Sequence, residues 1–225
     1  MELTILMPCL NEEKTIAYCI DEASFFLSKS RISGEILVVD NGSCDQSVAI
    51  AKAKGARVIH VKKKGYGAAL RTGIKSARGH YIICGDSDMS YDYMDCIKIY
   101  NKLLDGNDLV VGNRFNDRME KGAMPFFHRY FGVPILSFLG RWKYHVTVRD
   151  FHCGLRGLKK DRMERVHFKT SGMEFATEMI AAFAKEGLPI VQVDVHYRKD
   201  GRCGKSHLRT LRDGMRHLIF IMFLS

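Results

Sequence analysis

Residues 80–92 read "HYIICGDSDMSYD". The apolar run Tyr81 to Cys84 has the length, and the lack of polar alternation, of a strand buried on both faces. It runs into two acids one residue apart, Asp86 and Asp88. Two carboxylates at the end of a buried strand repel each other, so the arrangement calls for a cation between them. Side chains alternate along a strand, which would aim both acids the same way and let a hard divalent ion join a carboxylate to phosphate oxygens. D-x-D is a short and common pattern, and its weight comes from where it falls.

The same grammar repeats on either side. "LTILMP" precedes a helical pattern from Glu12 to Leu27, "EILVVD" one from Ser47 to Lys54, and "ARVIHV" one from Ala68 to Ala77. The run at 80–86 precedes one from Tyr93 to Leu104, and "DLVVGN" follows. Apolar strands each followed by a helix predict an α/β fold, a mostly parallel sheet flanked by helices. Ligands of such sheets bind beyond the carboxyl ends of the strands. Those ends, Pro8 to Glu12, Asp40 to Ser43, Lys62 to Gly67 and Asp86 to Asp88, are all polar or glycine-rich. Asp40 is placed to accept hydrogen bonds from a base or ribose, or to serve as an ordinary turn acid. "GYGAAL" lacks a third glycine and follows the third strand, so the dinucleotide fingerprint is absent, as is a G-x-x-x-x-G-K-[ST] phosphate loop.

After Arg114 the alternation loosens. Residues 124–144, "MPFFHRYFGVPILSFLGRWKY", are aromatic and apolar, and Gly132 and Pro134 predict two short helices. With Arg129, Arg141 and Lys143 nearby, the segment reads as a membrane-interfacial element or as a helix packed over the sheet. A helix around Glu174 to Lys185, the strand "LPIVQVDVHY" and the loop "RKDGRCGKS" follow. A last helix beginning near His207 puts Leu208, Leu211, Met215, Leu218, Ile219 and Met222 on one stripe and Arg209, Arg212 and Arg216 on another. It is basic and amphipathic, the pattern of a surface anchor. Its closing apolar run, "LIFIMFLS", falls short of the roughly 20 residues of a membrane-spanning helix, so it reads either as a surface anchor or as the start of a spanning segment that continues past residue 225.

At 225 residues and 46% hydrophobic content, the chain can bury one substantial core. Seven scattered cysteines without a C-x-x-C pair exclude a zinc ribbon or a dense disulfide framework and suit a reducing, cytoplasmic setting. "MELTILMPCL" enters a strand at once, without the basic and long apolar stretches of a secretory signal, and reads as the start of the domain. The net charge of +10 is one-sided: residues 1–112 carry 14 basic and 14 acidic side chains, residues 113–225 carry 21 and 11. Such a half suits an anionic partner, whether phosphate, anionic membrane or nucleic acid. A polynucleotide backbone would meet the acids at the strand ends, which argues against nucleic acid.

Together, "MPCLNEE", "ILVVDNGSCDQS", "KGYGAALRTGI", "GDSD", "GNRF" and "VRDFHCGLRG" resemble glycosyltransferase family 2, in order and over nearly the whole chain. The nearest likeness is to bacterial relatives of the dolichyl-phosphate mannose and glucose synthases. The resemblance implies a GT-A fold and transfer of a sugar from a nucleotide-sugar with inversion at the anomeric carbon. It implies that Pro8, Asn11 and Glu12 hold the nucleotide, that Asp40 meets its base and that Gly65 to Gly67 closes over it. Asp86, Ser87 and Asp88 would then lie at the donor diphosphate, Asp86 and Asp88 holding Mg²⁺ or Mn²⁺, with Asp88 counted as catalytic. Asp150 matches the acidic position near the acceptor, where a carboxylate can act as general base on a hydroxyl. Glu174 stands near the acceptor too, or is simply a first-turn acid. His152 and Cys153, adjacent in the chain, read as structural rather than as a catalytic pair. The mannose-phosphate synthases carry a pattern like R-x-x-G-x-S-K after the last strand. Here "RKDGRCGKSHLR" reverses the Lys–Ser order and adds a residue, so the sugar is not carried over.

A lipid-phosphate acceptor changes the role of Asp150. Its nucleophilic oxygen is already ionised near neutral pH, so it needs cations to position it, and Arg114, Arg129, Arg198 and Arg202 are the candidates. Asp150 would then orient an arginine or stabilise positive charge developing on the sugar. The expectation is therefore an enzyme with a catalytic domain over 1–206, a nucleotide-sugar half at 1–112 and an acceptor half at 113–206. The amphipathic helix at 207–225 would lie at the inner membrane face. Its donor is a UDP- or GDP-sugar and its acceptor a polyprenyl phosphate. Transfer to a soluble or cell-wall hydroxyl is the alternative.

Overall fold

The computed structural model describes residues 1–202 and 210–224, with the backbone alone at 210, 211 and 224. In chain order the elements are β1 (Leu3–Cys9), α1 (Ile16–Ser30), β2 (Gly34–Asp40), α2 (Ser47–Ala53), β3 (Arg57–His60), α3 (Tyr66–Ser76) and β4 (Tyr81–Cys84). They continue as α4 (Cys96–Leu104), β5 (Leu109–Asn113), α5 (Val133–Tyr144), β6 (Arg156–Lys159), α6 (Phe175–Lys185), β7 (Ile190–Asp194) and α7 (Thr210–Ile219). The seven strands form one sheet in the order β3-β2-β1-β4-β6-β5-β7. Strands from before and after residue 112 thus share a single sheet.

Burial explains the apolar runs. Every residue of β5 and nearly every residue of β1 is buried, which requires cover on both faces. The helices provide it in two groups, α1 with α2 and α4, and α3 and α5 with α6. The predicted strands and helices of the first half all form, within a few residues at their ends.

The sheet is parallel except for β6, which runs antiparallel to both β4 and β5. The sequence reading assigned no strand to "LRGLKK", and this strand matters most for the site. An antiparallel strand begins at the edge where its parallel neighbours end. The segment 150–154 therefore meets the carboxyl ends of β1, β2, β4 and β5. Gly157 permits the insertion, since a Cβ there would lie 2.3 Å from Ile99 of α4.

Two local expectations change. β4 stops at Cys84, so Asp86 and Asp88 lie in the turn beyond it, and strand alternation does not set their directions. The two helices expected over 124–144 are one continuous run, a π-helical turn at His128–Gly132 passing into α5. Pro134 lies inside this run, so its missing N–H removes one helical hydrogen bond where the widened π turn passes into α5.

The start expected near His207, the positions Leu208 and Arg209 and the side chain of Leu211 lie outside the described residues. Within them, α7 turns Asp213 and His217 inward, with Phe220 and Ile221 beyond its end, and leaves Met215, Ile219, Met222 and Phe223 exposed. Arg216 does not face outward with Arg212 but pairs with Glu174 at 2.8 Å. No helix among the described residues is long and apolar enough to cross a membrane.

Candidate active site

At the carboxyl edge, β1 and β2 end level with each other, Cys9 beside Asp40, and Asp40 lies opposite His60 on β3. Buried Asp40 accepts from the Gly42 and Ser43 backbone N–H groups at 3.2 and 2.9 Å and contacts His60 Nδ1 at 3.0 Å. Burial alone would raise its pKa, but the Ser43 and His60 bonds outweigh it and hold the carboxyl below the ordinary range. It is thus an ionised, buried turn acid at the carboxyl edge.

Asn11 has φ 56°, a left-handed conformation that asparagine tolerates. Its N–H donates to Ser43 Oγ at 2.9 Å and its Oδ1 accepts from Cys44 N at 2.9 Å, tying the first loop to the second. Asn41 does the same for the third loop, accepting from Gly65 N at 2.7 Å. Gly65 has φ 127°, and a Cβ there would lie 2.0 Å from the Ser171 carbonyl, so only glycine starts α3 in this place. Gly67 is turned inward: its N–H reaches Gly172 O and a Cβ would meet Phe175 at 2.7 Å. It packs α3 against the start of α6.

Between these loops lies the acid turn. Asp86 is half-buried, with Tyr66 Oη 3.3 Å from its Oδ1 and Gly154 so close that a Cβ there would sit 2.4 Å from Oδ2. Burial and the neighbouring Asp88 push its pKa up to about 7. Asp88 is buried, and its Oδ1 accepts from Ser90 N at 3.0 Å and from Ser90 Oγ. Ser87, expected to face the donor, is instead buried and donates to the Pro8 carbonyl at 2.8 Å, pinning the turn to β1. Pro8 contributes that carbonyl from within the strand.

Glu12 is buried, and burial raises its pKa despite the Arg202 guanidinium beside it. Arg202, expected at an acceptor phosphate, lies on these acids: Nε is 2.8 Å from Glu12 Oε1 and NH1 is 3.0 Å from Asp88 Oδ2. Arg198 is likewise paired, with Glu22 and Asp92, each at 3.0 Å. Neither guanidinium is free for a phosphate in this arrangement.

The acceptor-side pair is Arg114 and Asp150. Arg114 Nε and NH2 reach the two carboxylate oxygens at 2.7 and 2.9 Å. The backbone N–H groups of Arg114 and His152 donate to the same carboxylate at 3.2 and 3.1 Å. Asp150 is completely inaccessible, and Arg114 also lies over the Tyr197 ring at 5.0 Å. Burial disfavours the Arg114 charge, but Asp150 more than offsets it and holds the pKa well above normal. Arg129 keeps one edge against Tyr130, 5.5 Å from the ring, and has no carboxylate partner among the described residues. Its neighbour His128 has its pKa lowered by burial and by the charge of Arg114.

Cys153 is buried and His152 half-buried with both ring nitrogens inaccessible, in keeping with the structural reading: the imidazole stacks edge-on against His217 at 4.4 Å and loss of solvent holds it neutral. Glu174 accepts from Arg216 and from Gly172 N at 3.1 Å.

Three supporting residues escaped the sequence reading. Tyr66 touches Asp86, the Tyr91 hydroxyl accepts from Gly154 N at 2.7 Å, and Arg156 is a fully buried cation. Arg156 donates to the carbonyls of Cys153 at 3.0 Å and Ala176 at 2.8 Å, bracing the 150–154 turn from beneath. Only Arg156 had a signal, a lone arginine in an otherwise apolar "CGLRGL".

Comparison with known proteins accords with this layout. The family model described as glycosyl transferase family 2 matches residues 4–166. The low-salt glycan biosynthesis hexosyltransferase Agl6 of Haloferax volcanii is 36% identical over 221 residues, 98% of this chain but 53% of its own length. The chain therefore spans about half of that relative. The dolichyl-phosphate hexose transferase of the same organism is 28% identical over 218 residues, 95% of this chain and 89% of its own. Among solved structures, glucosyl-3-phosphoglycerate synthase from Mycobacterium tuberculosis in complex with Mn²⁺ and UDP-glucose superposes with a TM-score of 0.77 at 23% identity, covering 99% of this chain and 78% of its own. That likeness carries the GT-A fold, and with the family match the conclusion is direct: the chain belongs to glycosyltransferase family 2.

Proposed function

We propose that this chain moves a hexose from a UDP- or GDP-sugar to a polyprenyl phosphate at a membrane surface, with inversion at the anomeric carbon. The observation that carries the reading is the state of Asp150. A hydroxyl acceptor needs a general base, and this carboxylate is sealed from solvent with both oxygens taken by Arg114. A phosphate monoester, with a second pKa of about 6, arrives already ionised and needs cations instead. Arg129 at the start of the aromatic helix is assigned to hold it, and Arg114, its Nε and NH2 bound to Asp150, is assigned to add fixed positive charge behind it. Arg198 and Arg202 are not.

The donor is assigned to the opposite side of the edge, with Asp40 at the base or ribose, Asn11 and Gly65 shaping the nucleotide loops, and Asp86 and Asp88 at the diphosphate. Among the described residues no three His, Cys, Asp or Glu side chains converge. Two carboxylates without soft ligands suit Mg²⁺ or Mn²⁺, which take few protein oxygens and complete their shells with phosphate and water. Such an ion supplies charge neutralisation for the departing nucleoside diphosphate. In-line attack by the acceptor oxygen then breaks the bond from the anomeric carbon to that leaving group.

A one-sided apolar surface supports the membrane. Phe126, Phe127, Tyr130, Phe131, Ile135, Phe138 and Trp142 are exposed on the helical run, and Met215, Ile219, Met222 and Phe223 on the C-terminal helix. The two are joined where Lys143 Nζ donates to the Ile221 carbonyl. Most of the exposed large apolar side chains thus belong to two touching segments beside the Arg129 turn, more than a solvated surface favours. The division into a donor half at 1–112 and an acceptor half at 113–206 is kept as a functional one within a single sheet, with Arg202 as an exception on the donor side, and the membrane-proximal helix is assigned to α7. The name of the dolichyl-phosphate hexose transferase agrees with these assignments.

The test is turnover of labelled UDP-glucose and GDP-mannose with undecaprenyl phosphate, with undecaprenol, and with no acceptor. Sugar transfer to the phosphate alone is expected. Transfer to the free alcohol at a comparable rate would refute the reading of Asp150.

A further inference from the structure

One of the two acids that opened the sequence, Asp88, already has a cation on it, and the protein supplies it. The Arg202 fork spans Glu12 and Asp88, Nε lying 2.8 and 3.0 Å from the two Glu12 oxygens and NH1 3.0 Å from Asp88 Oδ2. Its side chain is 18% exposed, so this is a largely dehydrated contact between oppositely charged groups.

The backbone is built to deliver it there. Gly201 N donates to Asp88 O at 2.8 Å and Arg198 N to Ser90 O at 2.8 Å, so the segment is stitched directly to the acid turn. A Cβ on Gly201 would lie 2.6 Å from Met89 Sδ and 3.1 Å from Thr15, and Met89 itself has φ 70°. The close approach thus depends on glycine on one side and a left-handed residue on the other.

Such a contact opposes a divalent ion on the same Asp88 oxygen, because two cations would then share one acceptor about 4 Å from each other and repel. We propose that Arg202 is the resident counter-cation of the donor acids, that it competes with the divalent ion for Asp88, and that it moves onto the donor diphosphate when it leaves. This rests on the donor-site reading above and extends it by one residue. A guanidinium released beside a bound diphosphate meets the oxygen geometry that its planar fork matches best. Arg202 would thus stabilise the acids while the donor is away and the diphosphate once it is bound.

The experiment is direct binding of Mn²⁺, followed by the paramagnetic resonance of the free ion, to wild type, Arg202→Gln and Arg202→Lys, with and without UDP or GDP. Without nucleotide, Arg202→Gln is expected to bind Mn²⁺ at least about tenfold more tightly, having lost the competing charge, and Arg202→Lys to stay near wild type. With nucleotide the order reverses: Arg202→Gln should bind the diphosphate about tenfold or more weakly, and lysine, a point charge without the fork, should fall between. Circular dichroism shows whether each variant is folded. Unchanged or weaker Mn²⁺ binding by a folded Arg202→Gln would overturn the competition, and unchanged nucleotide binding would overturn the transfer. A wild-type chain that takes up no Mn²⁺ even with UDP or GDP would overturn the donor-site reading itself, and this inference with it.

Discussion

Asp86→Asn is predicted to make the protein more stable while impairing metal and donor binding, and the gain should depend on pH. The carboxyl ordinarily ionises near 3.8, and here burial and Asp88 push it up to about 7. Between those values the folded chain holds a proton that the unfolded chain has released. Stability contributed by this group therefore falls as pH rises from about 4 to about 7 and levels off above. Three units at about 1.36 kcal/mol each give a ceiling of about 4 kcal/mol, and solvent reaching a half-buried carboxyl reduces this to about 2 kcal/mol. Asparagine mimics the protonated form and keeps an oxygen for Tyr66. Melting curves in chelator should thus show the variant about 4 to 8 °C above wild type at pH 8 and level with it at pH 4. A variant equal to or below wild type at pH 8 would refute the claim that this acid is held against its preference. A gain that is the same at both pH values would show that charge is not the cause.

Two further outcomes follow from the other half. Asp150→Ala leaves a buried guanidinium without its carboxylate and should cost about 3 to 5 kcal/mol in chemical denaturation, much of it recovered in the double variant with Arg114→Met; a cost below about 1 kcal/mol would mean the pair is not truly buried. Trp142→Glu and Phe223→Glu change side chains that are 71% and 78% exposed, so each should leave the melting temperature unchanged yet lower binding to anionic vesicles about tenfold, as measured by flotation; undiminished flotation of both would place any membrane contact elsewhere.

How much of this was legible beforehand divides along physical lines. Local patterning carried the first half, because a strand buried on both faces must be apolar throughout, and only helices of the observed length can cross back over it. β1 to β4 and their helices were therefore readable, and with them the edge on which Asp40, Asp86 and Asp88 sit. β6 was not readable: four residues with two charges, "RGLK", carry no period. Its direction is set by the neighbours it inserts between. That one antiparallel strand brings Asp150 to the donor edge, so the acceptor half of the site could be named by resemblance but not placed.

The arginines divide in the same way. Sequence shows that a half is basic, but a guanidinium's role is set by the nearest carboxylate in space, and those carboxylates are remote in the chain: Glu12 for Arg202, Glu22 for Arg198, Asp150 for Arg114. Pairing takes the first two out of the acceptor set and leaves the third as a fixed cation, its carboxylate consumed in fixing it. Ser87 shows the reverse error. Its position within D-S-D suggested a ligand, yet one hydrogen bond to Pro8 spends the hydroxyl on holding the acid turn to β1. At this edge Asp86 accepts a hydrogen bond at Oδ1 alone and Asp88 gives its Oδ2 only to the Arg202 guanidinium, whereas Arg114 and two backbone N–H groups take both oxygens of Asp150, and that separates the first two from the third more sharply than any feature of the sequence around them.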